Sequence, residues 1–328
     1  MKDVAARAGV GLKTVSRVVN GEPGVTSDTA ERVQAAISAL GFRRNDSARI
    51  LRKGRTASVG LVLEDIADPF YSALSRAVEE VSRLHGSLLF TGSSDEDPER
   101  EEQLALAFCA RRVDGLVIVP AAGADHRYLA PEVRAGIATV FIDRPPLGIE
   151  ADTVLTANAA GAREGTAHLI GRGHRRIAFL GDSPDIHTAA ERLRGYREAM
   201  ADAGLPVDPS WISLGPTSPE RVGAALATAL SGPEPVTALF CGNNRVTVAA
   251  LRRLRTFDRP VAVVGFDDLE FADLLSPGLT VVAQDPAGLG RTAAQLLFAR
   301  LDGYPGPARH LELPARLIPR GSGELPPT

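Results

Sequence analysis

The amino-acid sequence predicts an α/β protein in which an all-α helix-turn-helix head and a hinge helix precede a bilobed body of two doubly wound parallel sheets. Short segments with apolar residues at helical spacing occupy the region before residue 41. From Val59 onward, segments rich in Val, Ile and Leu alternate with helical segments, as in βαβ units. This alternation restarts near residue 158, and the strands are too many for one sheet, which indicates two lobes.

Charge is distributed unevenly along the 328 residues. The first 58 residues carry a balance of +6, whereas the remainder carries −9, for a net charge of −3. A basic segment attached to an acidic body favours contact with a polyanion, although a solvated basic arm would give the same balance.

Three short helices are predicted in the head, residues 1–44. They cover Asp3–Ala8, Leu12–Val19 and Ser27–Leu40, each with apolar residues three or four positions apart. Gly9-Val10-Gly11 leaves only a tight turn between the first two, which is typical of a helix-turn-helix. An ordinary helical hairpin with a charged outer face is the alternative.

The second helix of a helix-turn-helix places its N-terminal residues against base edges in the major groove. Those residues here are Leu12, Lys13 and Arg17. Arg17 can bond to guanine, and Leu12 can touch a thymine methyl. The short polar side chains of this helix suit phosphate contacts: Thr14, Ser16 and Asn20.

A linker, residues 45–58, follows the head and contains a predicted hinge helix over Ser47–Lys53. Such a helix is too short to persist alone in water. Its basic residues favour folding against an anionic partner. Ile50 or Leu51 could then wedge between bases of a minor groove. A flexible interdomain linker is the alternative.

The body is predicted to divide into two subdomains through which the chain passes more than once. The first comprises residues 59–156 and 286–307, the second comprises 157–285 and 308–320, and 321–328 form a tail. Strands are predicted over 59–63, 87–90, 115–119, 138–143, 176–182, 237–242, 261–268 and 279–285.

Ligands of open α/β sheets bind beyond the carboxyl ends of the strands. Polar and aromatic residues at those ends are therefore the candidate ligand contacts. Carboxylates and amides bond hydroxyls, Arg bridges two oxygens, and Phe stacks on a sugar ring. The candidates are Asp68, Phe70, Arg192, Asn243, Phe266, Asp267 and Gln284. Helix capping is the alternative role for each polar one.

Two stretches of the N-terminal region resemble the DNA-binding head and hinge helix of the lactose-repressor (LacI/GalR) family. They are DVAARAGVGLKTVSRVVNG and GFRRNDSARILRKG. The resemblance implies base contacts from Leu12, Lys13 and Arg17. It also implies minor-groove insertion by Leu51, with Ala48 and Arg49 beside it. Gly11 stands where the family usually has Ser or Thr.

The body resembles the effector domain of the same family, which is similar to periplasmic sugar-binding proteins. The landmarks are DPFYSALSRAVEE, RRVDGLVIVP, GHRRIAFLGD, RLRGY, VVGFDD and LPARLIPRGS. The resemblance implies ligand contacts from Arg192, Asn243 and Asp267, with Phe70 on the opposite wall. Asp68 and Asn244 depart from the usual Asn and Asp. The implied effector is a sugar or polyol, with a nucleoside as the second possibility.

The sequence therefore predicts an effector-controlled repressor that binds double-stranded, pseudo-palindromic operator DNA. Because no heptad segment follows Arg320, we expect a homodimer. Apolar runs long enough for a membrane span and a secretory signal are both missing, so we expect a cytoplasmic protein without a membrane partner. The family resemblance implies that it is bacterial and nucleoid-associated. Cys109 and Cys241 indicate no disulfide framework.

Two other functional classes fit less well. A solute-binding protein would carry a signal peptide and no basic head. A sugar-metabolising enzyme would need a catalytic pair, for which only Asp267-Asp268 qualifies, and adjacent strand-end residues usually point apart. The six histidines show no metal-ligand spacing, and no nucleotide or hydrolase motif is present, so we expect no catalytic residues, metal or cofactor.

Overall fold

The structure, a computed structural model, describes residues 1–42, 55–231 and 234–328, without the side chain of Asn20. It consists of two compact units, Met1–Thr56 and Ala57–Thr328. The predicted hinge helix over 47–53, with Ala48, Arg49 and Leu51, lies outside the described residues.

The first unit contains three helices, α1 (Lys2–Ala8), α2 (Leu12–Asn20) and α3 (Ser27–Ala39). Gly9 and Gly21 end α1 and α2 in the left-handed conformation, which glycine adopts without a steric penalty. A small core holds the helices together, with Val4, Val15 and Val33 fully buried.

Two details of the head refine the predicted packing. Arg32 of α3 donates from Nη2 to the carbonyl oxygen of Ala8 at 2.6 Å, which satisfies one of the free carbonyls at the end of α1. Leu40 was expected on the apolar face of α3. It instead caps that helix and is 41% exposed, so it adds little to the core.

The second unit contains two six-stranded sheets, which confirms the predicted α/β class and bilobed body. The first lobe has strands in the order β11-β5-β4-β3-β1-β2, and the second lobe has the order β12-β10-β9-β8-β6-β7. All pairs are parallel except β10 with β12. The strands are β1 (Ser58–Leu63), β2 (Leu88–Ser93), β3 (Gly115–Ile118), β4 (Ala138–Ile142), β5 (Asp152–Thr156), β6 (Ile177–Leu180), β7 (Ile212–Ser213), β8 (Ala238–Cys241), β9 (Ala262–Phe266), β10 (Thr280–Ala283), β11 (His310–Leu313) and β12 (Arg316–Ile318).

Helices cover the faces of both sheets and begin close to the carboxyl ends of the strands. They are α4 (Pro69–Leu84), α5 (Pro98–Ala110), α6 (Ala130–Arg134), α7 (Asn158–Gly171), α8 (His187–Asp202), α9 (Pro219–Leu230), α10 (Asn244–Leu254) and α11 (Pro286–Leu301). Separate apolar clusters fill each lobe, built for example on Leu61 and Leu297 in the first and on Phe240 and Val263 in the second. Cys109 and Cys241 are buried thiols without a disulfide.

The structure differs from the predicted subdomain boundaries at residues 308–313. β11 pairs in parallel with β5, His310 opposite Thr153, and so belongs to the first lobe. The chain crosses to the second lobe only before β12. The backbone of β11 completes an edge of the sheet while most of its side chains stay exposed, so its sequence, HLEL, lacks the apolar run of a central strand.

The last residues are not a free tail. Ser322 is buried, donates to the carbonyl oxygen of Val263 at 2.6 Å and accepts from the amide of Thr280 at 2.8 Å. His174 bonds through Nε2 to the carbonyl oxygen of Leu325 at 2.9 Å. The C-terminal residues therefore belong to the second lobe.

Candidate functional site

One face of α2 in the head presents the residues predicted to contact DNA. Helical geometry places Lys13, Ser16 and Arg17 on one side, opposite the buried Val15. Leu12 flanks this side, lies outside the core of the head and is 48% exposed. Gly11 begins the helix without a side-chain cap, as its sequence implies. Thr14 lies on the opposite flank and is half-buried.

A cleft between the two lobes of the body gathers the carboxyl ends of strands from both sheets. Its cavity measures about 60 Å³. Six of the seven predicted ligand contacts line it: Asp68, Phe70, Arg192, Asn243, Asp267 and Gln284. The remaining walls come mainly from Glu64, Tyr71, Asp143, Arg144, Asp182, Thr188, Asn244 and Arg245.

Arg144 organises the wall from the first lobe. Its side chain is only 5% exposed, and Nη2 lies 3.0 Å from Glu64 Oε2 while Nη1 lies 2.5 Å from Glu96 Oε1. Nη1 also donates to the carbonyl oxygen of Pro120 at 2.9 Å. Burial raises the pKa of the Glu64 carboxyl to about 7, and the nearby guanidinium of Arg144 opposes that rise.

Asp143 and Asp267 occupy equivalent places in the two lobes. Each follows a strand, β4 or β9, and each has a positive φ, 69° and 74°. Their backbone amides donate to the carbonyl oxygens of Val154 and Val282, both at 2.9 Å. The left-handed turn directs both carboxylates into the cleft, where burial raises the pKa of each.

Arg192 of α8 is the central cation of the second wall. Its Nε donates to Asn158 Oδ1 and its Nη1 to the carbonyl oxygen of Gly242, both at 2.7 Å. Close packing of α7 against α8 permits the first bond, because a Cβ at Gly195 would overlap the carbonyl oxygen of Ala159. The guanidinium also lies 3.9 Å from Asp267 Oδ2.

Amide side chains fix the remaining acceptors of the second wall. Gln284 Nε2 donates to Asp267 Oδ1 at 2.6 Å, and Asn243 Nδ2 donates to Asp182 Oδ2 at 3.0 Å. Asn243 Oδ1 also caps α10 by accepting from the amide of Val246. Asn243 therefore caps the helix and lines the cleft at the same time.

Phe266 was predicted to stack on the ligand, and the structure contradicts this. Its side chain is fully buried in the core of the second lobe, and the Arg192 guanidinium lies 4.0 Å above its ring. As the last residue of β9 it points to the core side, because successive strand residues alternate in direction and Asp267 takes the cleft side. Phe266 instead supports Arg192 from below.

Arg245 at the start of α10 spans the cleft mouth from the second lobe to the first. Its guanidinium lies 2.8 Å from Asp65, 3.1 Å from Asp68 and 3.3 Å from Glu64. Asn244 adds a neutral bond from Nδ2 to Asp68 Oδ1 at 2.8 Å. We call these interlobe contacts the Arg245 latch.

The sequence interpretation missed Asp143, Arg144 and Arg245 as cleft residues. The rule that places ligands at strand ends would have found the first two, because Asp143 ends the fourth predicted strand and Arg144 directly follows it. Glu64, Asp182 and Asn244 also stand at strand ends. For Arg245 the sequence gives no comparable signal, since its role depends on how the two lobes face each other.

Within residues 1–42, 55–231 and 234–328, no group of three or more His, Cys, Asp or Glu residues could hold a metal ion. Across the same ranges, none of the helices combines the length and apolar character required to cross a bilayer.

Comparisons with known proteins agree with this arrangement of a head and a bilobed body. A family profile described as bacterial regulatory proteins, lacI family, matches residues 1–45. A second profile, described as a periplasmic binding protein-like domain, matches residues 166–323. The maltose regulon regulatory protein MalI of Escherichia coli (strain K12) is 34% identical over an alignment of 332 positions, which covers 96% of each chain.

Two solved structures extend the similarity to three dimensions. The lac repressor dimer bound to operator and the anti-inducer ONPF has a TM-score of 0.85 at 25% identity, covering 98% of each chain. The complex of the transcriptional regulator CelR with cellobiose has a TM-score of 0.72 at 33% identity, again covering 98% of each chain. Both likenesses include the head as well as the body.

Proposed function

We propose, from the premise that the chain belongs to the LacI family of bacterial regulatory proteins, that it represses transcription from a pseudo-palindromic operator under the control of a sugar or polyol. The observation that carries this proposal is the occurrence in one chain of a DNA-reading helix and a closed polar cleft. The relatives named above are transcriptional regulators, which supports a regulatory rather than an enzymatic role.

Residues on the exposed side of α2 contact the base edges of the operator. Arg17 bonds bidentately to a guanine, and Lys13 and Leu12 contact neighbouring base edges. Thr14, Ser16 and Asn20 position the helix on phosphates. Ala48, Arg49 and Leu51 of the linker contact the minor groove.

The effector binds between the lobes, where carboxylates and amides accept hydroxyl hydrogens. Asp143, Asp182 and Asp267 are the acceptors, and Arg192 bridges two oxygens from the second wall. Phe266 offers no stacking platform, and carboxylates and amides outnumber the aromatic side chains Phe70 and Tyr71 in the lining, which favours a polyol over a nucleoside.

A homodimer places two heads on the two half-sites of the operator. Exposed apolar side chains in the first lobe suit contact with a second copy: Leu84 is 77% exposed at the end of α4, and Leu88 is 70% exposed on the edge strand β2. The dimeric lac repressor supports this assignment. The bacterial cytoplasm, at the nucleoid, is then the site of action, because the operator is there.

Control follows from linkage between the two ligands. An effector that prefers one arrangement of the lobes changes operator affinity, and operator DNA must change effector affinity by the same factor. Neither catalysis nor a cofactor enters this mechanism.

Operator selection from random DNA followed by titration of an Arg17→Ala variant tests the proposal. The full-length protein should enrich one pseudo-palindrome, and the substitution should cost about 1–3 kcal/mol on that site while relaxing the choice of one base pair. Arg76→Ala, on an exposed face of α4, is the matched control. Failure to enrich any sequence would contradict the proposal, and an equal loss on all DNA would make Arg17 a phosphate contact.

A further inference from the structure

The cleft wall carries more negative than positive groups. Five carboxylates face the cavity: Glu64, Asp68, Asp143, Asp182 and Asp267. Three guanidiniums accompany them: Arg144, Arg192 and Arg245. With all eight groups ionised, the wall has a net charge of −2.

The guanidiniums are already engaged by the protein. Arg144 holds Glu64 and Glu96, and Arg245 holds Asp65 and Asp68. Arg192 directs Nε and Nη1 to neutral oxygens of its own lobe and lies close to Asp267. An anionic ligand at Arg144 or Arg245 would therefore have to displace a resident carboxylate before it gained a full ion pair.

Open hydrogen-bonding capacity in the cleft suits hydroxyl groups instead. Asp143 is buried, yet its contacts with Tyr71 and Arg144 are long, 3.5 and 3.6 Å. Gln284 Oε1 and Arg144 Nε are buried without a hydrogen-bond partner within the described residues. A hydroxyl can donate to the two acceptors and accept from the guanidinium, so adjacent hydroxyls satisfy all three groups.

Two buried carboxyls of the cleft wall, Asp143 and Asp267, hold their protons more tightly than free carboxyls do. Burial raises the pKa of Asp143 and of Asp267; the charge of Asp267 raises the pKa of Asp143 further, and the charge of Asp68 does the same for Asp267. An anion bound beside these carboxyls would raise both pKa values further, so its binding would be coupled to proton uptake.

We infer that the cleft selects an uncharged polyhydroxylated ligand and rejects sugar acids and sugar phosphates. This inference rests on the proposed function, which assigns the effector to the cleft. Its new content is the charge discrimination, which follows from the excess of carboxylates and from guanidiniums that the protein itself occupies.

Calorimetric titration of the full-length protein at pH 8 tests the inference, because the carboxyls are most fully ionised there. The probes are glucose, galactose, ribose, cellobiose and maltose, each with its aldonic or uronic acid and its phosphate ester. A neutral sugar should bind at least about 100-fold more tightly than its acid and phosphate, as expected for an added like charge in a partly buried site.

An Asp182→Asn variant examines the cause of the selectivity. The substitution keeps the shape of the side chain and removes one negative charge. It should lower the ratio of the affinity for a neutral sugar to the affinity for its acid by about tenfold. Asp208→Asn, on an exposed turn of the same lobe, is the matched control and should leave this affinity ratio unchanged.

Three other outcomes are informative. An acid or phosphate that binds as tightly as its neutral parent overturns the inference while the effector role of the cleft stands. Binding by none of the probes overturns the sugar effector of the proposed function and the inference with it. A selectivity that Asp182→Asn leaves intact overturns the electrostatic explanation.

Discussion

The two lobes of the body share a strand order and place equivalent aspartates in the cleft, but they hold their walls differently. In the first lobe Asp143 is followed by Arg144, which turns inward and binds Glu64 and Glu96. In the second, Asp267 is followed by Asp268, which turns outward and pairs with Arg320 at the surface. One wall is therefore an ionic network, whereas amides and carbonyls hold the other.

Because of this difference, the two walls of the cleft should respond differently to substitution. Charges taken out of water are held firmly only when each has its partners, so the first wall is sensitive to the loss of any member. Neutral hydrogen bonds tolerate change better. The expected effects of substitution therefore differ between the lobes and can be ranked.

The largest effect is expected from Arg144→Met. Removing one partner of a buried ion network leaves the carboxylates of Glu64 and Glu96 uncompensated and should cost roughly 3–5 kcal/mol in the free energy of unfolding. Arg194→Met, in an exposed ion pair of α8, should change it by no more than about 0.5 kcal/mol. Urea unfolding measures both, and equal losses would mean that the network contributes no special stability.

The pH dependence of stability should also reflect the first wall. The pKa of Glu64 is about 7 in the folded chain against 4.5 for the ordinary carboxyl, so the folded state binds the proton more tightly. Stability should then fall as pH rises from about 4.5 to 7, by at most about 1.4 kcal/mol per pH unit, and level off above that range.

Glu64→Gln, a neutral analogue of the protonated side chain, isolates this contribution. The variant should gain stability relative to the wild type as the pH rises from 5 to 8 in thermal or urea unfolding. Glu312→Gln, exposed on β11, is the control that should run parallel to the wild type. A Glu64→Gln curve that also runs parallel would refute the assignment.

A smaller effect is expected from the two equivalent aspartates. Asn tolerates the positive φ at positions 143 and 267, so Asp→Asn removes the charge without straining the turn. Each substitution should weaken effector binding by about 1.5–3 kcal/mol, the contribution of a hydrogen bond to a charged group, and leave operator affinity unchanged. Titration calorimetry and operator binding measure the two quantities, and a loss at only one position would break the equivalence of the lobes.

The smallest effect should come from the Arg245 latch. Arg245 is 41% exposed at its side chain, and ion pairs of this kind contribute about 0–1 kcal/mol. Arg245→Gln should raise the equilibrium constant for opening of the lobes by up to about fivefold, and by less at high salt. Spin-label or fluorophore distances across the cleft measure this equilibrium. Arg252→Gln on the same helix is the control, and no difference between the variants would remove the latch from the mechanism.

Much of the fold followed from the sequence because its signals are local. Apolar spacing located the helices of the head, and Val- and Leu-rich runs located most of the central strands. The strands β5, β7, β11 and β12 were missed, since their residues carry no long apolar run and they pair at or near sheet edges. The switch of β11 to the first lobe depends on a distant partner, which no local pattern encodes.

The residues of the cleft fall into the same two groups, those that local sequence patterns predicted and those that depend on distant partners. Strand-end positions predicted Asp68, Arg192 and Asn243 as cleft residues because the sheet geometry fixes where such residues lie. The strand-end argument did not resolve which of Phe266 and Asp267 faces the ligand, since that depends on the pleat of β9. The role of Arg245 required the second lobe to be in place.

The late pairing of the C-terminal residues bears on how the protein is made. The head closes its core within the first 42 residues, so it can fold while the ribosome is still translating the body. The second lobe obtains β12 and the anchor at Ser322 only after residues 316–324 have been synthesised. During synthesis, each nascent chain therefore carries a folded helix-turn-helix head before its bilobed body is complete.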